Sequence, residues 1–395
     1  MRLGFHYHIP ALATEDGIYT QGMLGRFIDS LADNCDSVVC FQHSPMAGET
    51  AWMDYKLISE HVSLVDLGPH VSVPRRMLRF HRVKSTIQEA GKNIDCMFIR
   101  GPTPWLANLS AALKDKPQAF LIVGDYTTNI DPLPQPAWRK ELIRWWSLWN
   151  KRQQMQCLKH HLTFVNSRRL FEEFRPTLPH LLETRTTTLS KADFYIREDT
   201  CQTSPVTLLY TGRMDRAKGL LDIVEALALL VQDGFDVKFD LVGWAASKRD
   251  ETIPEIFSLA QSKGIAERIT YHGYKPVGRE LFAHYRASDI YVIASRGSEG
   301  FPRTIWEAMA HSLPVIATRA GSIPDYVGHC AMLVDAARPL QIKEAVIDIL
   351  RSPARRRQMI KTGLELAKET TLEAQTQKMV REIDHWAGVH APQLR

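Results

Sequence analysis

What most constrains this chain is an alternation met twice: a short β-branched run, then a segment with helical apolar spacing. Each such pair reads as a strand with its crossover helix, and a series of them builds a parallel sheet covered on both faces. The first series has strands near Arg2–Tyr7, Ser37–Phe41, Val62–Asp66, Ile94–Ile99, Ala119–Val123, Leu162–Asn166 and Thr186–Leu189. Helical spacing fills residues 23–33, 74–91, 103–114, 137–159 and 168–174 between them. A polar stretch without periodicity, Ser190 to Pro205, then interrupts the pattern and reads as a hinge. Strands resume at Val206–Tyr210, Val237–Val242, Ile269–Tyr271, Ile290–Ile293, Val315–Ala317 and Met332–Val334, with a helix at Gly219–Gln232 after the first. From Pro339 to Trp386 apolar residues recur every three or four positions, so the chain closes in helices.

A chain of 395 residues exceeds what one hydrophobic core supports. The expectation is therefore α/β: two Rossmann-like doubly wound domains facing each other across a cleft, with the ligand at the carboxyl ends of the strands. Residues 1–190 form the first domain, 191–205 the hinge and 206–370 the second. Residues 371–395 form a terminal helix that returns toward the first.

The six cysteines are scattered without a C-x-x-C pair, which speaks against a disulfide framework or zinc knuckle and for a reducing cytoplasm. The opening Met1-Arg2-Leu3-Gly4-Phe5-His6 lacks the apolar core of a signal peptide, and no run reaches membrane-spanning length. Positive charge is unevenly spread. Arg75, Arg76, Arg79, Arg82 and Lys84 stand together, and Arg139, Lys140, Arg144, Lys151, Arg152 and Lys159 face Glu141 alone. These two stretches exceed the net charge of +5, so the remainder is net acidic.

Two βα loops of the second series hold the residues that suggest chemistry. Thr211-Gly212-Arg213-Met214-Asp215-Arg216-Ala217-Lys218-Gly219 follows the strand at 206–210. Gly212 allows a turn, while Arg213 and Lys218 set a donor fork and a point charge at the strand's carboxyl end, which suits a diphosphate or a solvated cap equally. In Gly297-Ser298-Glu299-Gly300-Phe301-Pro302-Arg303-Thr304-Ile305-Trp306-Glu307, a Gly-rich loop leads into a helix. Its N–H groups would favour an anion. Glu307 one turn in would accept from ribose hydroxyls, or close a capping box with Thr304. Glu299 has no such structural use.

These residues carry a resemblance. Arg213 with Lys218-Gly219, then Ser298-Glu299-Gly300-Phe301-Pro302 and Glu307-Ala308-Met309-Ala310, then Leu313-Pro314-Val315-Ile316-Ala317-Thr318 with Gly321-x-x-Pro324-Asp325, resemble the retaining glycosyltransferases of family 4, which have the GT-B fold. The resemblance is close over residues 206–335 and holds in outline before them, where Gly22 stands at the turn opening the first helix. It implies that a sugar moves with retention from a nucleotide diphosphate sugar to a glycan or lipid-linked acceptor, in cell-surface polysaccharide synthesis. No cofactor is implied beyond the donor itself. Arg213 and Lys218 would hold the diphosphate, Glu307 the ribose and Glu299 the donor sugar. Backbone groups of Gly300, Phe301, Pro302, Arg303 and Thr304 would complete the pocket, with Gly212 and Gly22 shaping their turns. Members usually need no metal, and no Asp-x-Asp motif occurs here.

Four positions depart from the family pattern, one of them Asp325, which stands where Glu is common and is one methylene shorter. Gly124 stands where a His precedes an Asp at a strand end, which leaves Asp125 either to contact the donor sugar or to serve as a turn residue. Met23 replaces a second Gly, and Ser312 replaces the Gly that ends the Glu307 helix; a left-handed backbone there costs about 1 kcal/mol.

Trp138, Leu142, Trp145 and Trp149 share one helical face, with Lys140, Arg144 and Lys151 roughly opposite. Tryptophans with cations on an amphipathic helix suit a membrane interface, and residues 75–84 would add about 1 kcal/mol per cation toward anionic lipid. The plain alternative packs the tryptophans into the core. No nucleic-acid recognition module is visible. Alternatives to a transferase are a GT-B nucleotide-sugar epimerase, or a non-catalytic glycan-binding scaffold of the same fold. A nicotinamide enzyme fits poorly, because the first strand lacks a G-x-G-x-x-G turn.

Overall fold

In a computed structural model, the chain is described apart from residues 128–129, 131–134, 246–249, 298–300 and 391–395. It divides into two compact units, Met1–Thr186 with Glu373–Arg395, and Thr187–Leu372.

The first unit runs β1 (Arg2–His6), β2 (Ala11–Thr14), β3 (Gly17–Thr20), α1 (Gly22–Ala32), β4 (Ser37–Ser44), β5 (Tyr55–Lys56), β6 (Val62–Pro69) and α2 (Val73–Gly91). It continues through β7 (Cys96–Gly101), α3 (Leu106–Ala112), β8 (Gln118–Ile122), α4 (Ala137–Leu158), β9 (Leu162–Val165), α5 (Arg168–Phe174) and β10 (Leu181–Glu183). Its main sheet has the order β10-β9-β8-β7-β1-β4-β6, parallel throughout. The order reverses between β1 and β7. Both strands are buried almost end to end, His6 and Arg100 included. Beneath α2 to α5, Phe41, Ile87, Ile99, Trp105, Phe120, Leu158 and Phe174 form one core.

The second unit runs β11 (Val206–Met214), α6 (Leu220–Gln232), β12 (Val237–Ala245), α7 (Thr252–Ser262), β13 (Ile269–Tyr271), α8 (Arg279–Ala287), β14 (Ile290–Ile293) and α9 (Thr304–Ala310). It ends with β15 (Val315–Thr318), α10 (Ile323–Val327), β16 (Met332–Val334), α11 (Pro339–Arg351) and α12 (Pro353–Glu369). Its parallel sheet has the order β13-β12-β11-β14-β15-β16, reversing between β11 and β14.

Several details differ from the sequence reading. The small antiparallel sheet β2-β3-β5 carried no alternating signal. The strand expected at Thr186–Leu189 is instead β10, paired with β9, because residues 186–189 leave the sheet edge and turn, with Thr187 Oγ1 accepting from the Leu189 N–H at 3.1 Å. Residues 190–205, read as a hinge, group with the second unit. Asp199 there takes a two-pronged pair from Arg356, and the Cys201 N–H donates to Asp289 at 2.8 Å. Residues 373–390 of the last helix, α13 (Leu372–His390), group with the first unit, where Thr376 Oγ1 meets Ser30 Oγ at 2.8 Å.

Candidate functional site

In an open parallel sheet, ligands gather at the carboxyl ends of the strands where the order reverses. In the second unit that point lies between β11 and β14, and the two loops singled out in the sequence are the ones leaving those strands. They are fixed to one another. Gly219 stands at φ +63°, and a Cβ on it would lie 2.0 Å from the Ala294 carbonyl oxygen, so only glycine lets the β11 loop approach so closely. The Arg296 N–H donates to the Ala217 carbonyl at 2.7 Å. The Arg296 guanidinium forks onto Asp222 in the first turn of α6, Nε to Oδ2 at 2.8 Å. On the other side of β11, Gly243 of β12 pairs with Gly212, and a Cβ at 243 would fall 1.7 Å from the Gly212 oxygen.

Arg213, one residue before the end of β11, has its side chain half exposed, Nε donating to Asp215 Oδ2 at 2.5 Å. Lys218 closes the same turn, its N–H on the Asp215 carbonyl at 3.0 Å. Both cations thus stand at the strand's carboxyl end.

Glu307 is buried, 1% exposed. The capping box that its spacing allows does not form. Thr304 is the first helical residue rather than the cap, and its hydroxyl accepts from Tyr291 at 2.7 Å. The Glu307 carboxylate instead accepts from Thr188 Oγ1 on one oxygen and from the Tyr285 hydroxyl, at 2.7 Å, on the other. Since Tyr285 gives its only proton to Glu307, the Thr211 hydroxyl must donate to Tyr285 across their 2.5 Å contact. Burial and the Glu307 charge both hold the Tyr285 phenol far above its ordinary range, so it stays a donor. Through Tyr285, Glu307 is tied to β11 two residues before Arg213. Neither Tyr285 nor Thr188 was legible in the sequence: one sits mid-helix, the other in a stretch that reads as strand.

The helix carrying Glu307 ends in a Schellman motif, with Ser312 N–H on Met309 O at 3.1 Å and Leu313 N–H on Ala308 O at 3.0 Å. Ser312 is left-handed at φ +59°. Its hydroxyl donates to the Tyr195 carbonyl at 3.0 Å and accepts from the Arg197 N–H at 3.1 Å, two bonds a glycine could not make.

Glu299 and Gly300 lie outside the described residues. Phe301 stacks on Trp306 at 4.2 Å and meets Tyr326 edge-on. The Pro302 and Arg303 carbonyls accept the Ile305 and Glu307 N–H groups, so Pro302, Arg303 and Thr304 form the helix entry.

In the first unit, Gly22 opens α1, and its N–H donates to Asp54 Oδ1 at 2.7 Å. Asp125 follows β8. Oδ1 accepts the Thr127 N–H at 2.8 Å, as a turn residue's would, and Oδ2 pairs with Lys151, which also reaches Glu173 at 2.6 Å. Helix α4 has an unusual polarity. It buries Ser147, Asn150 and Gln154, while Trp138, Leu142, Trp145, Leu148 and Trp149 are exposed, Trp145 by 68%.

Residues 205–352 match the family model described as glycosyl transferases group 1. The chain is 28% identical over 176 residues to a D-inositol 3-phosphate glycosyltransferase of Corynebacterium diphtheriae, covering 44% of this chain and 40% of that relative. It is 25% identical over 159 residues to spore coat protein SA of Bacillus subtilis, covering 38% of this chain and 41% of that one. The match thus spans about two fifths of each relative's length. Among solved structures, the chain is similar to Anabaena Alr3699/HepE in complex with UDP, with a TM-score of 0.72, 15% identity, and coverage of 98% and 100%. WaaG, a glycosyltransferase involved in lipopolysaccharide biosynthesis, is similar at a TM-score of 0.70 and 15% identity, with coverage of 96% and 99%. The chain has the GT-B fold, and residues 205–352 are similar to the glycosyl transferases group 1.

Proposed function

We propose that this chain, a GT-B protein similar over residues 205–352 to the glycosyl transferases group 1, transfers a sugar from a nucleotide diphosphate donor to a glycan or lipid-linked acceptor, with retention at the anomeric carbon and without a metal. The reading rests on one observation: two cations, Arg213 and Lys218, stand at the reversal point of the second sheet, on a loop that Gly219 and Arg296 lock to the loop leading to Glu307. As the bond from the anomeric carbon to the diphosphate breaks, negative charge grows on the leaving oxygens. Fixed cations meet that charge without reorganising. Glu307 takes the ribose and Glu299 the donor sugar, with the backbone of Gly300 to Thr304 around them. In the first unit, Asp125 and Gly22 serve the acceptor side.

Calorimetric titration with UDP, GDP and ADP tests the donor side. One of them should bind, and Arg213→Gln should remove about 3–4 kcal/mol of transition-state stabilisation from turnover of the matching sugar donor. A protein that binds no nucleoside diphosphate would end the proposal.

The acceptor side is proposed to meet an anionic membrane surface. No helix among the described residues is long and apolar enough to cross one. The exposed Trp138, Leu142 and Trp145 lie in the first half of α4 and Trp149 just past its middle, with the exposed Arg75, Leu78 and Arg79 in the first half of α2. Both helices begin after strand carboxyl ends, and each offers exposed apolar and basic side chains of the kind an interfacial surface requires. Flotation with anionic vesicles should recover the protein at low salt. Trp145→Ser with Trp149→Ser should abolish recovery, and no flotation of the unaltered protein would sink the idea.

A further inference from the structure

Two tyrosines lie side by side in the core of the second unit, Tyr285 from α8 and Tyr291 from β14, both fully buried. Their rings stack with centroids 5.9 Å apart and planes 29° apart. Phenylalanine would fill the same space, whereas each buried hydroxyl has to be matched by a partner. The partners set the two rings apart. Tyr291 donates to Thr304 Oγ1 at 2.7 Å, at the start of α9. Tyr285 donates to Glu307 Oε2 at 2.7 Å and lies 2.5 Å from the hydroxyl of Thr211, in the strand that carries Arg213.

A glutamate carboxylate turns easily about its last side-chain bond unless both oxygens are held. Here Tyr285 holds one oxygen of Glu307 and Thr188, itself fully buried, holds the other. The two braces come from different elements, α8 and the segment that precedes the second sheet. Together they fix the plane of the carboxylate and leave one lone pair on each oxygen open to a ligand. The Tyr285 hydroxyl is fixed in its turn, because the Thr211 hydroxyl donates to it. A directed run of hydrogen bonds thus leads from β11 to the carboxylate on α9.

We propose that Tyr285 and Thr188 are positioning residues for the nucleotide. Neither touches the ligand. They hold the Glu307 carboxylate where a single nucleoside diphosphate meets it through the ribose while meeting Arg213 through the phosphates. The inference rests on the transfer reading for its ligand. A purely structural role for the two hydroxyls predicts something different: their loss would lower stability and leave the selectivity for ribose untouched.

The test is calorimetric titration of the full chain with UDP, GDP and ADP, and then with the 2′,3′-dideoxy form of the one that binds best. The readout is the ratio of the two dissociation constants. Tyr285→Phe keeps the ring and should shrink that ratio on the order of 10-fold, by weakening the ribonucleotide and sparing the dideoxy ligand. Thr188→Val should act in the same direction, and it decides the matter should Tyr285→Phe not fold. Tyr285→Phe combined with Glu307→Gln should lose no more than Glu307→Gln alone, since the phenol acts only through the carboxylate. Tyr291→Phe removes an equally buried hydroxyl from the neighbouring ring without touching Glu307, and should keep the ratio. Equal weakening of both ligands in Tyr285→Phe and Thr188→Val, or the same fall of the ratio in Tyr291→Phe, overturns the inference. If a nucleoside diphosphate binds and the ratio ignores both braces, the inference falls alone; if none binds, the transfer reading falls with it.

Discussion

The Glu307 carboxylate accepts one hydroxyl on each oxygen, from Thr188 and from Tyr285, which leaves one lone pair on each for a ligand. Glu307→Gln keeps the volume but removes the charge and one acceptor. Inside the protein, one buried hydroxyl then faces an amide NH2 and loses its partner, a cost of about 1–3 kcal/mol. The melting temperature should fall by roughly 2–12 °C for a domain of this size. On the ligand side, a hydrogen bond to a charged acceptor is worth about 1.5–3 kcal/mol, or roughly 10- to 150-fold in affinity. The two costs are separable by changing the ligand. The nucleoside diphosphate that binds best and its 2′,3′-dideoxy counterpart would be titrated calorimetrically against both proteins. If Glu307 holds the ribose, the unaltered chain discriminates between the two ligands by that factor and Glu307→Gln discriminates little. Equal discrimination by both proteins, with only the melting temperature changed, would make Glu307 a support for Tyr285 and refute its contact with ribose.

Gly219→Ala must place a Cβ 2.0 Å from the Ala294 carbonyl in a left-handed backbone. It should cost about 2–5 kcal/mol and weaken nucleotide binding with it, read from denaturant midpoints and calorimetry; a stable variant would show that the two loops are not locked. Ser312→Ala loses bonds to Tyr195 and Arg197 and keeps the left-handed strain, so it should destabilise by about 1–3 kcal/mol. Ser312→Gly should destabilise less, because it relieves about 1 kcal/mol of that strain, and the reverse order of midpoints would contradict the reading. Burial pushes the Asp125 carboxyl up, but Lys151 and the Thr127 N–H outweigh it and hold it below the usual carboxylate range. The stability it confers is therefore full above the unfolded value of about 3.9 and is lost as pH falls through the lower folded value. Asp125→Asn should flatten the acid limb of melting temperature against pH; superimposable limbs would show that the pair contributes nothing.

Two parallel α/β sheets were legible because the signal is local. A strand buried on both faces, such as β14, must be apolar along its length, and its crossover helix must keep one apolar stripe, wherever the rest of the chain goes. The sheet β2-β3-β5 was not legible, since Ala11–Thr14 and Gly17–Thr20 have little apolar alternation; α1 packs beside β3 and β5. The tryptophan face of α4 reads the same in sequence whether it is buried or exposed. The fold turned it outward because Ser147, Asn150 and Gln154 occupy the inward positions.

By itself, the sequence placed Arg213, Lys218 and Glu307 around the carboxyl ends of strands, because loop and strand signals are short-range, although β11 runs on through Met214 and so includes Arg213. Only the tertiary structure decided that β11 and β14 flank the point where the sheet order reverses. That brings loops some eighty residues apart into contact through Gly219 and Arg296. It also decided what Glu307 is. Thr304 and Glu307 have the spacing of a helix cap, but Thr188 and Tyr285 reach the carboxylate from 119 and 22 residues away. Hydrogen bonds between groups so far apart depend on which surfaces pack, and no periodicity along the chain encodes that.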